Sequence, residues 1–205
     1  ITMSPDFPTV ADVAMQLYPQ SGFDREVDGV LSVDPSGLAA LMHFTGPVEV
    51  EGHPEPLTAE NVERFLHIDQ YLNYEVTDER VDFLGDVAEE VFDRLTEISL
   101  PSPSEVIDVL GEATAGNHIQ FTTDDPAEAA YFNEIGIDGA LAPAAGDALA
   151  VTTTNIGPNK IDAFLGRRLV YDVTWDPATG EVEGTVTATF SNGAPAESNL
   201  PEYIV

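Results

Sequence analysis

The sequence predicts an α/β fold: a central mixed sheet with helices packed over it and a C-terminal antiparallel β-hairpin. Three observations predict it. Residues 27–50, VDGVLSVDPSGLAALMHFTGPVEV, pass through strand, helix and strand signals in turn, as a β-α-β unit does. Apolar residues recur at helical spacing through most of the chain as far as Ile135. Beyond residue 146 the signals are mostly of strand type.

The opening loop, Ser4 to Thr9, carries Pro5 and Pro8, and Asp6 or Thr9 is placed to cap the helix that follows. Val10, Val13, Ala14, Leu17 and Tyr18 form that helix's apolar stripe, which Pro19 and Gly22 end. In the β-α-β stretch, Val27, Val30, Leu31 and Val33 make the first strand and Asp34-Pro35 stops it. Leu38, Leu41 and Met42 mark the helix, and Gly46-Pro47 turns the chain into Val48-Glu49-Val50. Thr58 is the expected cap of a helix continued by Val62, Phe65 and Leu66.

The longest helix is expected from Asp78 to about Ile98. Val81, Leu84, Ala88, Val91, Phe92 and Leu95 make its apolar face, opposite an acidic one of Asp82, Asp86, Glu89, Glu90 and Asp93. Pro101 and Pro103 close it. Ser104 is the expected cap of a shorter helix with Val106, Ile107 and Leu110, ending near Gly116. Residues 118–122 read as a strand, and Asp125-Pro126 opens a helix to about Ile135. Residues 138–146 are rich in Gly, Ala and Pro, which divides the chain into an α/β core, 1–145, and a strand-rich part of the same domain, 146–205. In that part strands are expected at Ala148 to Thr154, Arg168 to Trp175 and Glu181 to Phe190. The last two flank the turn Asp176-Pro177-Ala178-Thr179-Gly180 and predict a hairpin with one wetted face.

Composition bounds function. An apolar content of 43% supports a buried core, and 37 Asp plus Glu against 7 Lys plus Arg leaves a formal net charge of -30. Such a surface repels nucleic acid and anionic lipid, so neither is an expected partner of this segment. It fits a halophile's protein or an acidic extracytoplasmic one. With no cysteine there is no disulfide, thiol catalysis or thiolate metal site. No stretch is long and apolar enough to span a membrane, and no signal peptide opens the chain. The sequence begins with Ile1 and stops in mid-pattern at both ends, which suggests a segment of a longer protein whose anchor or export signal lies elsewhere.

His43, His53, His67 and His118 stand far apart, none in a paired metal-ligand spacing, so no metal site is expected. Serine-hydrolase elbows, phosphate-binding glycine loops and the EF-hand pattern are absent. The cations are more informative because they are scarce. Lys160, Arg167 and Arg168 lie within nine residues and form either an anion-binding site or internal pairs with the chain's own carboxylates. Arg80, at the head of the long helix, opposes the helix dipole and needs a carboxylate or a ligand beside it.

The segments SPDFPTVADVAMQLY, VDGVLSVDPSGLAALMHFTGPVEV, LTAEN, ERVDFLGDVAEEVFDRL, NIGPNKIDAFLGRRLVYDV, SNGAP and LPEYIV resemble domain-of-unknown-function family 4012, found mainly in actinobacterial envelope proteins. The resemblance implies an exported body held by an upstream membrane helix. It attaches no activity. The Pro-Asp loop, the VDGVLSVD strand, the following helix and the Arg-led long helix are more distantly similar to the LytR-CpsA-Psr phosphotransferases, which transfer lipid-linked glycopolymers with Mg²⁺, arginines and acidic residues. That similarity implies a shared architecture. As a reaction it would rest on Asp6, Asp78 and Arg80, with Phe83 in or near the place of the family's second arginine.

The expected function is therefore that of an exported, membrane-tethered cell-envelope domain with a binding or scaffolding role. It needs no cofactor, and its partner is a cell-wall or lipid-linked polymer. The alternative is a Mg²⁺-dependent phosphotransferase.

Overall fold

The computed structural model describes residues 4–22, 25–50, 53–73, 77–99, 101–141, 149–157, 159–194, 200 and 204, with residues 77–79 described by backbone only. The chain is mixed α/β and divides into two compact units, Ile1–Thr154 and Asn155–Val205.

In the first unit, α1 (Phe7–Leu17) is capped by Asp6, whose side chain accepts from the Thr9 N–H. A 3₁₀ turn, Tyr18–Ser21, ends at Gly22, whose φ of 95° suits glycine. Strand β1 (Gly29–Val33) leads through the cap Asp34 into α2 (Pro35–Thr45). Strand and helix stand where the sequence puts them, but the second strand of the β-α-β unit does not form. Val48 instead makes an isolated antiparallel bridge with Leu57, by N–H to O contacts of 2.8 and 2.9 Å. Pro47 and Pro56 flank that pair, one on each strand, and neither has an N–H to offer a further strand, so the bridge cannot widen into a sheet.

The partner of β1 arrives much later. It is β2 (Ile119–Thr123), antiparallel, in the register Gly29↔Thr123 to Val33↔Ile119. The sheet of this unit is thus antiparallel and two-stranded among the described residues.

A helical stretch runs through α3 (Val62–Arg64), a π-helical segment (Phe65–Asp69) and α4 (Gln70–Asn73). The expected start at Thr58 is a separate turn: Thr58 Oγ1 accepts from the Glu60 N–H, and helical geometry begins only at Val62. Buried Gln70 donates its side-chain amide to the Leu66 carbonyl, inside the widened π turn.

Next come α5 (Thr77–Glu97), α6 (Pro103–Ala115) and α7 (Pro126–Ile135), the last capped by Asp125. The cap of α6 is Ser102 and not Ser104, because Pro103 takes the first helical position, where its missing N–H costs nothing and its fixed φ fits.

Met42, Val48, Val50, Leu57, Val62, Phe65, Leu66, Phe83, Val87 and Val91 form one buried core joining α2, the bridge, the π segment and α5. The buried stripe of α5 is therefore Phe83, Val87 and Val91, while Val81, Leu84 and Phe92, expected inside, are exposed. Likewise α1 buries Phe7 and Ala11 and leaves Val13 and Leu17 outside, and Ile107 of α6 is exposed. These helices carry more apolar residues than one face holds, and packing selects among them. Arg94 fastens α5 to the turn after α2, donating to the Pro47 carbonyl at 2.5 Å and pairing with Glu90 at 2.6 Å.

Residues 149–154, expected as a strand together with Ala148, which lies outside the described residues, adopt no regular structure. They pair with no strand among the described residues, and β-propensity alone does not fix a strand without such a partner.

The second unit holds a 3₁₀ turn, Ile161–Phe164, and the predicted hairpin: β3 (Leu165–Trp175) and β4 (Val182–Asn192), paired from Leu165↔Asn192 to Trp175↔Val182. Its turn is built as the sequence suggests. Asp176 Oδ1 accepts from the Ala178 N–H at 2.8 Å, and Gly180 takes a φ of 76°. The Ala178 N–H and the Thr179 hydroxyl hold the Asp176 carboxyl below its ordinary pKa. The expectation of a single wetted face fails, since both faces of the hairpin are largely exposed.

One glycine fixes how the first unit closes. A Cβ on Gly37, in the first turn of α2, would collide with the His118 carbonyl oxygen, whereas one on Gly85, in α5, would meet nothing within 4 Å. Gly37→Ala should destabilise by about 1–3 kcal/mol through overpacking, and Gly85→Ala should stabilise by about 0.5–1 kcal/mol through helix propensity. Urea unfolding of the two variants checks both signs.

Candidate functional site

The first turn of α2 and the lead into β2 meet at Asp34 and His118. Asp34 Oδ1 accepts from the Gly37 N–H at 2.9 Å, its Oδ2 lies 2.7 Å from His118 Nδ1, and its N–H donates to the His118 carbonyl at 3.1 Å. An ionised carboxylate only accepts, so Nδ1 is the donor and Nε2 is left as the ring's other functional atom. Gly116 makes room for this ring: a Cβ there would lie 2.6 Å from His118 Cδ2.

Beside this pair opens a cleft of about 570 Å³ between α2 and α6. Helical spacing puts Ser36, Ala40 and His43 of α2 on one wall and Asp108 and Glu112 of α6 on the other, with Ala39, Val109, Ala113 and His118 completing it. Ser36 donates to Glu63 at 3.2 Å, tying the mouth of the cleft to α3. Two imidazoles, two carboxylates and a hydroxyl around small apolar residues suit a ligand rich in hydroxyl or amino groups. The carboxylates disfavour an anion. No group of three or more His, Asp or Glu side chains among the described residues has the geometry to hold a metal ion.

Sequence reading discounts these histidines because none has a neighbour at ligand spacing. His43 and His118 share the cleft only because β2 returns alongside β1, a contact no local spacing encodes. The one local sign of the cleft is the helical spacing of Ser36, Ala40 and His43.

The residues singled out from sequence lie elsewhere. Asp6 is a helix cap: Oδ2 accepts from the Thr9 N–H at 3.1 Å and the Thr9 hydroxyl at 2.5 Å, and Oδ1 accepts from the Leu141 N–H at 3.0 Å. The Thr9 hydroxyl first, then the Leu141 N–H, hold its carboxyl below the ordinary aspartate pKa against a small opposing effect of burial. The side chain of Asp78 lies outside the described residues. Arg80 places its guanidinium over the Tyr71 ring, 5.1 Å from the centroid, a neighbour that offsets its unfavourable place at the head of α5.

Lys160 precedes the 3₁₀ turn, and its carbonyl accepts from the Ala163 N–H at 3.0 Å. Arg167 and Arg168 are successive residues of β3, opposite Phe190 and Thr189, so they project from opposite faces of the hairpin and do not converge on one anion.

A family model described as "Protein of unknown function (DUF4012)" matches residues 1–71. The match takes in α1, β1, α2 and the helical stretch as far as Tyr71, and supports the family resemblance over that part. No curated protein and no solved structure matches the chain.

Because the pKa of Asp6 is lowered by folding, its contribution to stability is complete above the unfolded carboxyl value of about 3.9 and is lost as pH falls through the lower folded value. Asp6→Ala should cost about 0.5–2 kcal/mol at neutral pH. The gap to the parent should close below about pH 4, as denaturant unfolding at a series of pH values would show.

Proposed function

We propose that this chain is the binding domain of an exported cell-envelope protein, tethered by a membrane helix upstream of Ile1. Its ligand is an uncharged or amino-bearing envelope polysaccharide, held in the cleft between α2 and α6. The observation that carries this reading is the lining of that cleft, where His43, His118, Asp108 and Glu112 present donors and acceptors to an open groove of about 570 Å³. Carboxylates and imidazoles hydrogen-bond sugar hydroxyls and amines, and the carboxylates repel polyphosphate. The family match over residues 1–71 and the net charge of -30 support an envelope setting.

The geometry at Asp6 weighs against the phosphotransferase alternative. Both oxygens of that carboxylate already accept hydrogen bonds from Thr9 and Leu141, which leaves it poorly placed to ligate Mg²⁺.

Isothermal titration with purified envelope polysaccharide tests the reading. The parent chain should bind, and the double substitution Asp108→Asn with Glu112→Gln should weaken binding by about tenfold or more through loss of charge-assisted hydrogen bonds, with circular dichroism unchanged. Absence of binding, preference for a polyphosphate, or turnover of a lipid-linked glycopolymer with Mg²⁺ would sink it.

A further inference from the structure

The hairpin of the second unit is more strongly two-sided than its exposure alone suggests. Its register puts Leu169, Tyr171, Val173 and Trp175 of β3 on the same face as Val182, Val186, Ala188 and Phe190 of β4. The opposite face carries Arg168, Asp172 and Thr174 with Glu183, Thr185, Thr187 and Thr189, and one apolar residue, the half-buried Val170. Trp175 is 67% exposed, Val182 59% and Phe190 49%, and the other large apolar residues of that face are nearly half exposed. An isolated two-stranded hairpin is marginal in water, so a face of this kind needs a cover.

We propose that a second copy of the same chain covers it, the two hairpins packing apolar face to apolar face about a twofold axis. Charge argues for this occupant. The chain carries a net charge of -30, so copies repel over most of their surfaces, yet within the paired strands this face holds no carboxylate, and Arg167, beside Phe190, is its one charged residue. Area agrees. The exposed apolar surface is roughly 600–700 Å² per copy, so two copies would bury on the order of 1,300 Å², within the range of specific interfaces.

The position of Arg167 differs between the two twofold arrangements. With the twofold axis along the strands, β3 of one copy lies over β4 of the other and Arg167 meets Phe190 of the second copy. With the axis across the strands, the Arg167 end of one copy meets the Trp175 end of the other, and the guanidinium lies over the indole.

Trp175 is the only tryptophan in the chain, which makes it a built-in reporter. Sedimentation velocity and tryptophan emission of the 205-residue chain, followed over roughly 1–200 µM at low and at ~0.5 M salt, test the proposal. The expected result is a dimer that forms with rising concentration and tightens with salt, as the screening of like charges requires, with emission shifting to the blue in step. Val173→Glu should raise the dissociation constant at least tenfold, Arg167→Ala should raise it several-fold without touching the apolar residues, and Thr187→Glu, on the other face, should leave it unchanged. A monomer under all conditions overturns the proposal. So does emission already blue in the dilute monomer, a blue shift only on adding zwitterionic lipid vesicles, or a dimer indifferent to Val173→Glu and Arg167→Ala.

Discussion

Asp34 gathers three groups at one point. Its backbone N–H reaches the His118 carbonyl, one carboxylate oxygen caps α2 through the Gly37 N–H, and the other holds the His118 ring. A single residue thus ends β1, starts α2 and docks the strand that pairs with β1. The contact spans 84 residues of sequence and closes the loop that contains the core of α2, the Val48–Leu57 bridge and α5. It is possible only because residue 37 lacks a side chain, since the His118 carbonyl occupies the space a Cβ would take. The cleft depends on the same junction, because His118 is both its corner and its link to β2.

The two units bear the acidic composition differently. In the first, carboxylates cap helices at Asp6, Asp34 and Asp125, answer Arg94 through Glu90 and line the cleft at Asp108 and Glu112. The charge there is partly structural, and partly it lines the cleft. In the hairpin the carboxylates are confined to one face and the turn, and the other face is apolar apart from Arg167. In a chain with a net charge of -30, that face holds no carboxylate within the paired strands, and it carries the single tryptophan.

Most helices, the caps Asp6 and Asp125 and the hairpin were legible in the residues, while the starts expected at Thr58 and Ser104 were not. Asp6 and Asp125-Pro126 announce helix starts through side-chain capping and proline geometry, Asp34-Pro35 announces the end of β1, and Asp176 to Gly180 announces the turn. Those signals act within a few residues, which is why they can be read in order along the chain. The partner of β1 was not legible, nor was most of the buried stripe in α5, where Val91 is buried as expected but Phe83 and Val87 prevailed over Val81, Leu84 and Phe92. The candidate cleft was least legible of all: sequence pointed to Asp6, Asp78, Arg80 and the cations near residue 160, while the cleft draws on residues 36–43, 108–113 and 118.

The sequence by itself determined that the chain is mixed α/β, where most helices and the first strand lie, and that a hairpin follows the helical part. Those follow from local stereochemistry, which needs no fold to act. Only the tertiary structure decided that Val48 bridges to Leu57 and builds no central strand, that β1 pairs antiparallel with β2, and that His43 and His118 share a wall with Asp108 and Glu112. Each of those outcomes turns on steric fit between segments distant in sequence: prolines on both edges of a bridge, a missing Cβ at Gly37, a ring seated against Gly116. Such fits exist only once the segments have met.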